Sequence, residues 1–257
     1  MLENKDLVLD TILNKRSPEI RDNQARIDSG EILLFIQEFK KLLFPSIILH
    51  QRKLSDQYEH CFNLLSSILS KVNVDDVITS KFIANIPQLI DLLDKDIDAI
   101  YNGDPSSKSK AEIVLCYPGF GAIFGHRIAH ILYKYDVPII PRVINEFCHS
   151  KTGIDIHPGA SIGEYFCIDH GTGVVIGETA TIGNHVRIYH GVTLGVKNFL
   201  KDENNNLVKG YKRHPDVGNN VVIYANATIM GKIKIGDKSI IGANAVVTED
   251  VPEGSVI

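Results

Sequence analysis

The sequence lacks any apolar run of the roughly 18 to 20 residues that a bilayer-spanning helix requires. The best candidate, residues 42–49, is short and is interrupted by Pro45. The amino-terminal segment MLENKDLVLD carries too many charges for the apolar core of a secretory signal. These absences predict a protein that is neither membrane-spanning nor secreted.

Basic charge and paired cysteines are also scarce. The net charge of −4 and the pI near 6.2 give no electrostatic reason to expect nucleic acid or an anionic membrane as a partner. The four cysteines form no CxxC pair, so we interpret them as reduced thiols in a cytoplasmic protein. With 44% apolar and 23% charged residues, the composition is that of a globular protein.

Glycine is rare in the first part of the chain and frequent in the second. Residues 1–150 contain five glycines, whereas residues 151–257 contain fifteen of the twenty. The first part has apolar residues at helical spacing, and the clearest face consists of Leu89, Leu92, Leu93, Ile97, Ile100 and Tyr101. This pattern predicts helices over residues 2–15, 30–43, 55–71, 75–84, 87–103, 118–134 and 138–149.

The second part has an aliphatic anchor every six residues. The thirteen anchors are Ile156, Ile162, Ile168, Ile176, Ile182, Ile188, Leu194, Val217, Ile223, Ile229, Ile235, Ile241 and Val247. A companion residue two positions earlier points to the same side of an extended segment, and small residues after the anchor permit a bend. Such a period is typical of a parallel β-helix, and if three segments make a coil, the thirteen anchors give just over four coils.

The period is interrupted twice, and we expect function at the interruptions because the regular coils form a scaffold. The first is the step of eight from Ile168 to Ile176, which contains Asp169 and His170. The second adds seventeen residues between Leu194 and Val217, in a polar loop over residues 195–214. A loop of that length in a compact domain is usually functional or disordered.

These segments carry a family resemblance. The runs DIHPGA from Asp155, DHGTGVVIGETA from Asp169, GVTLG from Gly191 and RHP from Arg213 resemble serine O-acetyltransferases of the hexapeptide-repeat acyltransferase superfamily. The similarity covers roughly residues 85–257. It implies an α+β fold, with an α-helical domain over residues 1–150 followed by a left-handed parallel β-helix over 151–257. Residues 1–85 are interpreted as a helical extension that aids assembly, and 86–150 as family-type helices.

The resemblance also implies an activity, the transfer of an acetyl group from acetyl-CoA to the hydroxyl of L-serine, for cysteine biosynthesis. It assigns His170 as the general base, a role that suits an imidazole with a pKa near neutrality. It assigns Asp155 as the carboxylate on the other ring nitrogen. The two residues are fifteen apart, somewhat less than a coil of eighteen, so the spacing permits a dyad without proving it.

Substrate contacts are implied in the same way. Arg213 and His214 would hold the carboxylate of serine, because an arginine fork suits a carboxylate, while Asp104 and Asp169 would lie at its amino end and hydroxyl side. Glu178 is a supporting residue without a defined role. For acetyl-CoA, which is a co-substrate, the resemblance points to small residues in a groove between subunits, namely Gly195, Ala225 and Ala243. It implies no bound cofactor and no metal.

The chain departs from the family pattern after Gly195. Where the family commonly continues with glycine, this sequence has Val196 and Lys197 and a loop about nine residues longer. The detailed CoA contacts are therefore open. The family often ends in an isoleucine that binds the next enzyme of the pathway, O-acetylserine sulfhydrylase, and the present sequence ends at Ile257.

Alternatives remain at this stage. A hexapeptide-repeat acetyltransferase could use another acceptor, such as an amino sugar, or the column could serve only for assembly. His185 and His190 could bind zinc between subunits, as histidines do in γ-class carbonic anhydrases. The resemblance implies a homotrimer or a dimer of trimers, with L-cysteine as a plausible feedback inhibitor.

Overall fold

The structure is a computed structural model that describes residues 8–11, 27–49 and 52–257. In addition to a helical segment at residues 8–11, it contains α1 (Ser29–Leu43), α2 (Leu54–Ser70), α3 (Val77–Ala84), α4 (Ile86–Gly103), α5 (Lys110–Cys116), α6 (Pro118–Lys134) and α7 (Ile140–Thr152). Among the described residues, no helix is both long and apolar enough to span a bilayer.

The periodicity predicted six of these helices to within three residues at either end. The predicted helix over residues 2–15 lies outside the described residues except at 8–11, which are helical. The short helix α5 was not predicted, because seven residues show too little periodicity; its start is capped by Ser109, whose side chain accepts the Glu112 N–H. Tyr101, placed on the apolar face of α4 by its spacing, is 38% exposed.

Thirteen short strands follow, and each contains one anchor of the six-residue period. They are β1 (Asp155–Ile156), β2 (Ser161–Ile162), β3 (Cys167–Asp169), β4 (Val175–Ile176), β5 (Thr181–Ile182), β6 (Arg187–Tyr189), β7 (Thr193–Gly195), β8 (Asp216–Val217), β9 (Val222–Ile223), β10 (Thr228–Met230), β11 (Lys234–Ile235), β12 (Ile240–Ile241) and β13 (Val246–Val247). The prediction of one strand per period is confirmed.

Every third strand pairs in parallel, which makes three sheets around one axis. Sheet A has the order β1-β4-β7-β10-β13, sheet B the order β2-β5-β8-β11, and sheet C the order β3-β6-β9-β12. The column is the left-handed parallel β-helix that the sequence predicted, with three strands to a coil. We name its edges by the sheets that they join, so that the chain turns through corners AB, BC and CA in each coil.

The anchors fill the interior of the column. Twelve of the thirteen are buried, and Ile162 packs against the same core while partly exposed. Glycines stack where the BC corners touch: a Cβ on Gly163 would lie 2.7 Å from the Gly183 carbonyl, and one on Gly183 would lie 2.8 Å from that of Gly218. The glycine after the anchor is therefore required by close backbone approach, as well as by the bend.

A buried ion pair fastens the helices to the first coil. Asp96 of α4 accepts two hydrogen bonds of 3.0 Å from Arg127 of α6, and both side chains are at most 6% exposed. Arg127 also donates to the carbonyls of Ile162 and Gly163, and Asp96 accepts the Phe166 N–H at 2.9 Å. The pair thus fixes α4 and α6 against the segment that leads into β3.

Candidate active site

His170 lies in the first CA corner, between β3 and β4. In the later coils this corner has its left-handed residue three positions after the anchor, at Gly191, Asn226 and Asn244. In the first coil the left-handed conformation begins one residue earlier, at His170 itself (φ +56°), and two residues are inserted before β4. The shifted turn projects the imidazole outward, and its side chain is 75% exposed.

Two predicted carboxylates lie near His170. Asp169 is the last residue of β3, and its Oδ1 atom is 4.0 Å from Nε2 of His170. Asp104 follows the end of α4, where it accepts hydrogen bonds from the Tyr117 hydroxyl (2.7 Å) and the Ser106 N–H (2.8 Å). Those hydrogen bonds, with the nearby charge of His170, hold the pKa of Asp104 below its usual value. We call Asp104, Asp169 and His170 the histidine corner.

Asp155 does not join His170 within one chain. It is the first residue of β1 and lies opposite Val175, five residues beyond His170, because the inserted residues lengthen the first coil. Among the described residues, no hydrogen bond or ion pair connects the two side chains. A dyad within a single chain, which the spacing of fifteen permitted, is therefore not formed. The Asp155 carboxylate instead lies within 4.8 Å of ligand atoms of Glu146 and His149, at the end of α7.

Arg213, His214 and Glu178 meet at corner AB, and we call them the arginine corner. Arg213 makes an ion pair with Glu178, and it also donates to the Tyr211 carbonyl at 3.2 Å. Partial burial raises the pKa of Glu178, but the hydrogen bond and charge of Arg213 outweigh it and hold that pKa below its usual value. Glu178 also accepts a hydrogen bond of 3.2 Å from the Tyr133 hydroxyl of α6.

Thr179 holds the backbone of this corner in place. Its hydroxyl oxygen accepts the N–H groups of Arg213 (3.0 Å) and His214 (3.2 Å), and its own N–H donates to Nδ1 of His214 (3.1 Å). The ring of His214 is buried over Gly177, and burial together with the charge of Arg213 lowers its pKa to about 4. His214 is thus neutral at pH 7, with its proton on Nε2, and the positive charge of the corner belongs to Arg213.

Two of the three small residues assigned to acetyl-CoA lie along the column from the histidine corner, and the third lies at the other end of a strand of sheet A. Ala225 and Ala243 occupy CA corners of the third and fourth coils, directly along the column from His170 and His190. The corners are joined by hydrogen bonds of 2.9 Å from the Asn226 N–H to the His190 carbonyl and from the Asn244 N–H to the Ala225 carbonyl. Gly195, the last residue of β7, lies opposite Met230 in sheet A.

The long loop leaves the column at corner AB. An antiparallel bridge between Lys201 and Leu207 forms a small hairpin, whose turn is held by Asp202 through the N–H groups of Asn204 and Asn206. The hydroxyl of Tyr211 accepts the Leu200 N–H at 3.0 Å and ties the two arms together. The loop is therefore an ordered excursion that returns the chain to Arg213.

His185 and His190 lie at different corners, BC and CA. The His185 ring stacks on Tyr165 with centroids 4.4 Å apart, whereas the His190 ring meets His170 edge-to-face at 5.9 Å. The two histidines of one chain are thus not brought together as a metal pair. The contact of His190 with His170 was missed by sequence reasoning, although the register places both two residues after an anchor. Tyr117 was also missed, because nothing in its local sequence connects it with Asp104.

Comparisons with known proteins agree with this geometry. The model of the serine acetyltransferase N-terminal family matches residues 38–124, and the bacterial transferase hexapeptide model (six repeats) matches residues 214–249. A serine acetyltransferase of Mycobacterium tuberculosis is 49% identical over 162 residues, which are 63% of this chain and 67% of that protein. The chain belongs to the serine acetyltransferase family. The N-terminal match begins at residue 38, so the resemblance extends further than the predicted start near residue 85.

Other members of the family give the same result. The plasmid serine acetyltransferase of Synechococcus elongatus is 53% identical over 180 residues, which are 70% of this chain but only 56% of the relative's length. The crystal structure of Entamoeba histolytica serine acetyltransferase 1 in complex with L-cysteine is 33% identical, with a TM-score of 0.80 and coverage of 98% and 94% of the two chains. A serine acetyltransferase complex with CoA is 30% identical, with a TM-score of 0.62 and coverage of 89% and 94%.

Proposed function

We propose that this protein transfers the acetyl group of acetyl-CoA to the hydroxyl of L-serine, which yields O-acetyl-L-serine and CoA. The observation that carries the proposal is the histidine corner, an exposed imidazole with two carboxylates beside it. Ala225 and Ala243 lie at the same edge of the column, in the third and fourth coils. Family membership supports the same reaction.

The chemistry requires a base because a serine hydroxyl is a weak nucleophile at neutral pH. His170 accepts the hydroxyl proton as the oxygen attacks the thioester carbonyl, and the protonated imidazole then returns the proton to the departing CoA thiolate. The exposed ring at a fixed left-handed corner can reach a substrate without rearrangement of the backbone. A carboxylate on the other ring nitrogen would stabilise the imidazolium.

The two ends of serine suit the two corners. The Arg213 guanidinium carries the charge that would bind the carboxylate, and neutral His214 offers its Nε2–H as a donor. Asp104 and Asp169 would hold the ammonium group beside His170. An amino sugar has no carboxylate to meet Arg213, which is the observation that favours serine over that alternative acceptor.

We propose that a neighbouring copy of the chain completes the site. The histidine and arginine corners lie on different edges of one column, and Asp155 is separated from His170 in the same chain. In a trimer, the arginine corner and Asp155 of one protomer would face the histidine corner of the next, with CoA in the groove between them. The helical halves would pair two such trimers, and a C-terminal tail of the protein would bind O-acetylserine sulfhydrylase.

The cysteines support a cytoplasmic location. All four are free thiols; Cys61, Cys148 and Cys167 are buried, and Cys116 is exposed. Burial raises the pKa of Cys148 to about 12 and that of Cys61 to about 11, so these thiols behave as small apolar groups.

The deciding experiment is an acceptor panel. Purified protein with acetyl-CoA should release free CoA thiol with L-serine and not with glucosamine. His170→Ala should lower kcat by roughly 10²- to 10⁴-fold, the usual contribution of a positioned base, while calorimetry shows CoA binding intact. His185→Ala is a matched control, because His185 has the same left-handed corner conformation at another edge. Turnover with the amino sugar alone, or full activity of His170→Ala, would contradict the proposal.

A further inference from the structure

The turn that carries Asp104 is more constrained than the sequence DPSS requires. The Ser106 N–H donates to Oδ1 of Asp104, and the backbone carbonyl of Asp104 accepts the N–H (3.1 Å) and the hydroxyl (2.8 Å) of Ser107. Such bonds are ordinary turn chemistry, and they alone would explain an aspartate at this position. The backbone N–H of Ser106 reaches only Oδ1 of the carboxylate.

A second element holds the other oxygen. Tyr117 lies at the junction of α5 and α6, and its hydroxyl donates to Oδ2 of Asp104 at 2.7 Å. The hydrogen bond to Asp104 raises the pKa of Tyr117 to about 12, so the phenol remains a donor throughout the neutral and alkaline range. Because one oxygen is held by the Ser106 N–H and the other by Tyr117, the plane of the carboxylate is fixed.

A third element fixes the backbone of the same turn. Arg187 of β6 donates to the Gly103 carbonyl at 2.8 Å, directly before Asp104, and a Cβ on Gly103 would overlap its guanidinium. Arg187 lies opposite Cys167 of β3, the strand that ends in Asp169 and leads into His170. The end of α4 is thus bound to β6, the strand that pairs with the one leading into His170, while Tyr117 sets the direction of the Asp104 side chain.

We infer that Tyr117 is a positioning residue for substrate: it holds the Asp104 carboxylate in the orientation that binds the ammonium group of the acceptor beside His170. The inference rests on the proposed function. A turn that served only to end α4 would need neither a phenol from a separate helix junction nor a carboxylate with both oxygens fixed.

The test removes one oxygen atom. Tyr117→Phe keeps the ring, so we expect kcat and the KM for acetyl-CoA to stay within about twofold, while the KM for L-serine rises roughly 10- to 100-fold, as for loss of a hydrogen bond to a charged group. In an Asp104→Asn background, Tyr117→Phe should add little to the KM for serine, since the carboxylate it orients is already gone. Tyr101→Phe, an exposed tyrosine of α4, is the control and should match the wild type.

The possible outcomes separate the two proposals. An unchanged KM for serine in Tyr117→Phe, with an active wild type, would overturn the positioning role alone. Equal rises in both KM values, or an effect that adds fully to that of Asp104→Asn, would show a general structural role and would also overturn it. A wild type that is inactive with serine would instead refute the proposed function, and this inference with it.

Discussion

Replacement of Asp96 by asparagine should destabilise the contact between the helical half of the protein and the first coil. The Asp96 side chain is fully buried and accepts two hydrogen bonds from Arg127 and one from the Phe166 N–H. An asparagine of the same shape has only one oxygen acceptor, so its NH₂ group must face an N–H of Arg127 in either orientation, and in one of them it also faces the Phe166 N–H. The variant therefore retains a buried cation without its anion.

The cost follows from this geometry. Removal of one partner from a buried ion pair typically destabilises a protein by about 3 to 5 kcal/mol, because the remaining charge stays desolvated. For a chain of this size each kcal/mol lowers the Tm by roughly 2 to 4 °C, which gives a fall of roughly 6 to 20 °C. The neighbouring pair of Asp98 and Lys110 is exposed, so Asp98→Asn should cost at most about 1 kcal/mol.

Thermal unfolding followed by circular dichroism, at one protein concentration, distinguishes the two variants. We expect Asp96→Asn to unfold well below Asp98→Asn, which should stay near the wild type. Because the pair fixes α4 against the segment leading to β3, serine turnover by Asp96→Asn should also decay faster on warming. If both variants had the same Tm, the buried pair of Asp96 and Arg127 would not stabilise the contact between the helices and the first coil.

Two further predictions concern His214. A Cβ on Gly177 would lie 2.1 Å from the His214 ring, so Gly177→Ala should displace that ring. We expect the KM for serine to rise roughly 5- to 150-fold, the range for an overpacked site. Gly121→Ala, where the new atom meets only Thr152 at 3.5 Å, is the control and should leave the KM for serine unchanged. The pKa of His214 falls from 6.5 to about 4 on folding, so between those pH values the unfolded chain binds a proton that the folded chain does not, and stability falls as the solution is acidified. In denaturant titrations from pH 6.5 to pH 5, the wild type should lose about 1.5 kcal/mol more than His214→Gln, and equal losses would refute the assigned pKa.

The column was predictable from sequence because its rule is local and repeated. Each anchor must point inward, each corner must bend, and both demands recur every six residues. The three strands per coil, which were assumed from the type of fold, agree with the three sheets. Among the helices of residues 27–257 that the structure describes, α5 was not predicted, because it is too short for a periodic signal, although Ser109 caps its start.

The site was less predictable, because its contacts join residues that are distant in sequence. Asp94, Asp96 and Asp98 look alike in the stretch IDLLDKDIDAI, yet only Asp96 is buried, since Arg127 of another helix lies against it. The spacing of Asp155 and His170 suggested a contact, but among the described residues no hydrogen bond or ion pair joins the two side chains of one chain, and Asp155 lies opposite Val175. Arg187 donates to the Gly103 carbonyl and Lys212 to the Thr179 carbonyl, and neither contact could be inferred from the sequence, because the partners are distant along the chain.

The register in which the strands pair is unchanged by the two insertions at the corners. Asp155 remains opposite Val175 on either side of the two-residue insertion, and Thr181 remains opposite Asp216 across the long loop. Chain length can thus change at an edge of the column while the packing of its interior stays the same. A protein built in this way can acquire or lose reactive loops one at a time, because each graft leaves the neighbouring coils undisturbed.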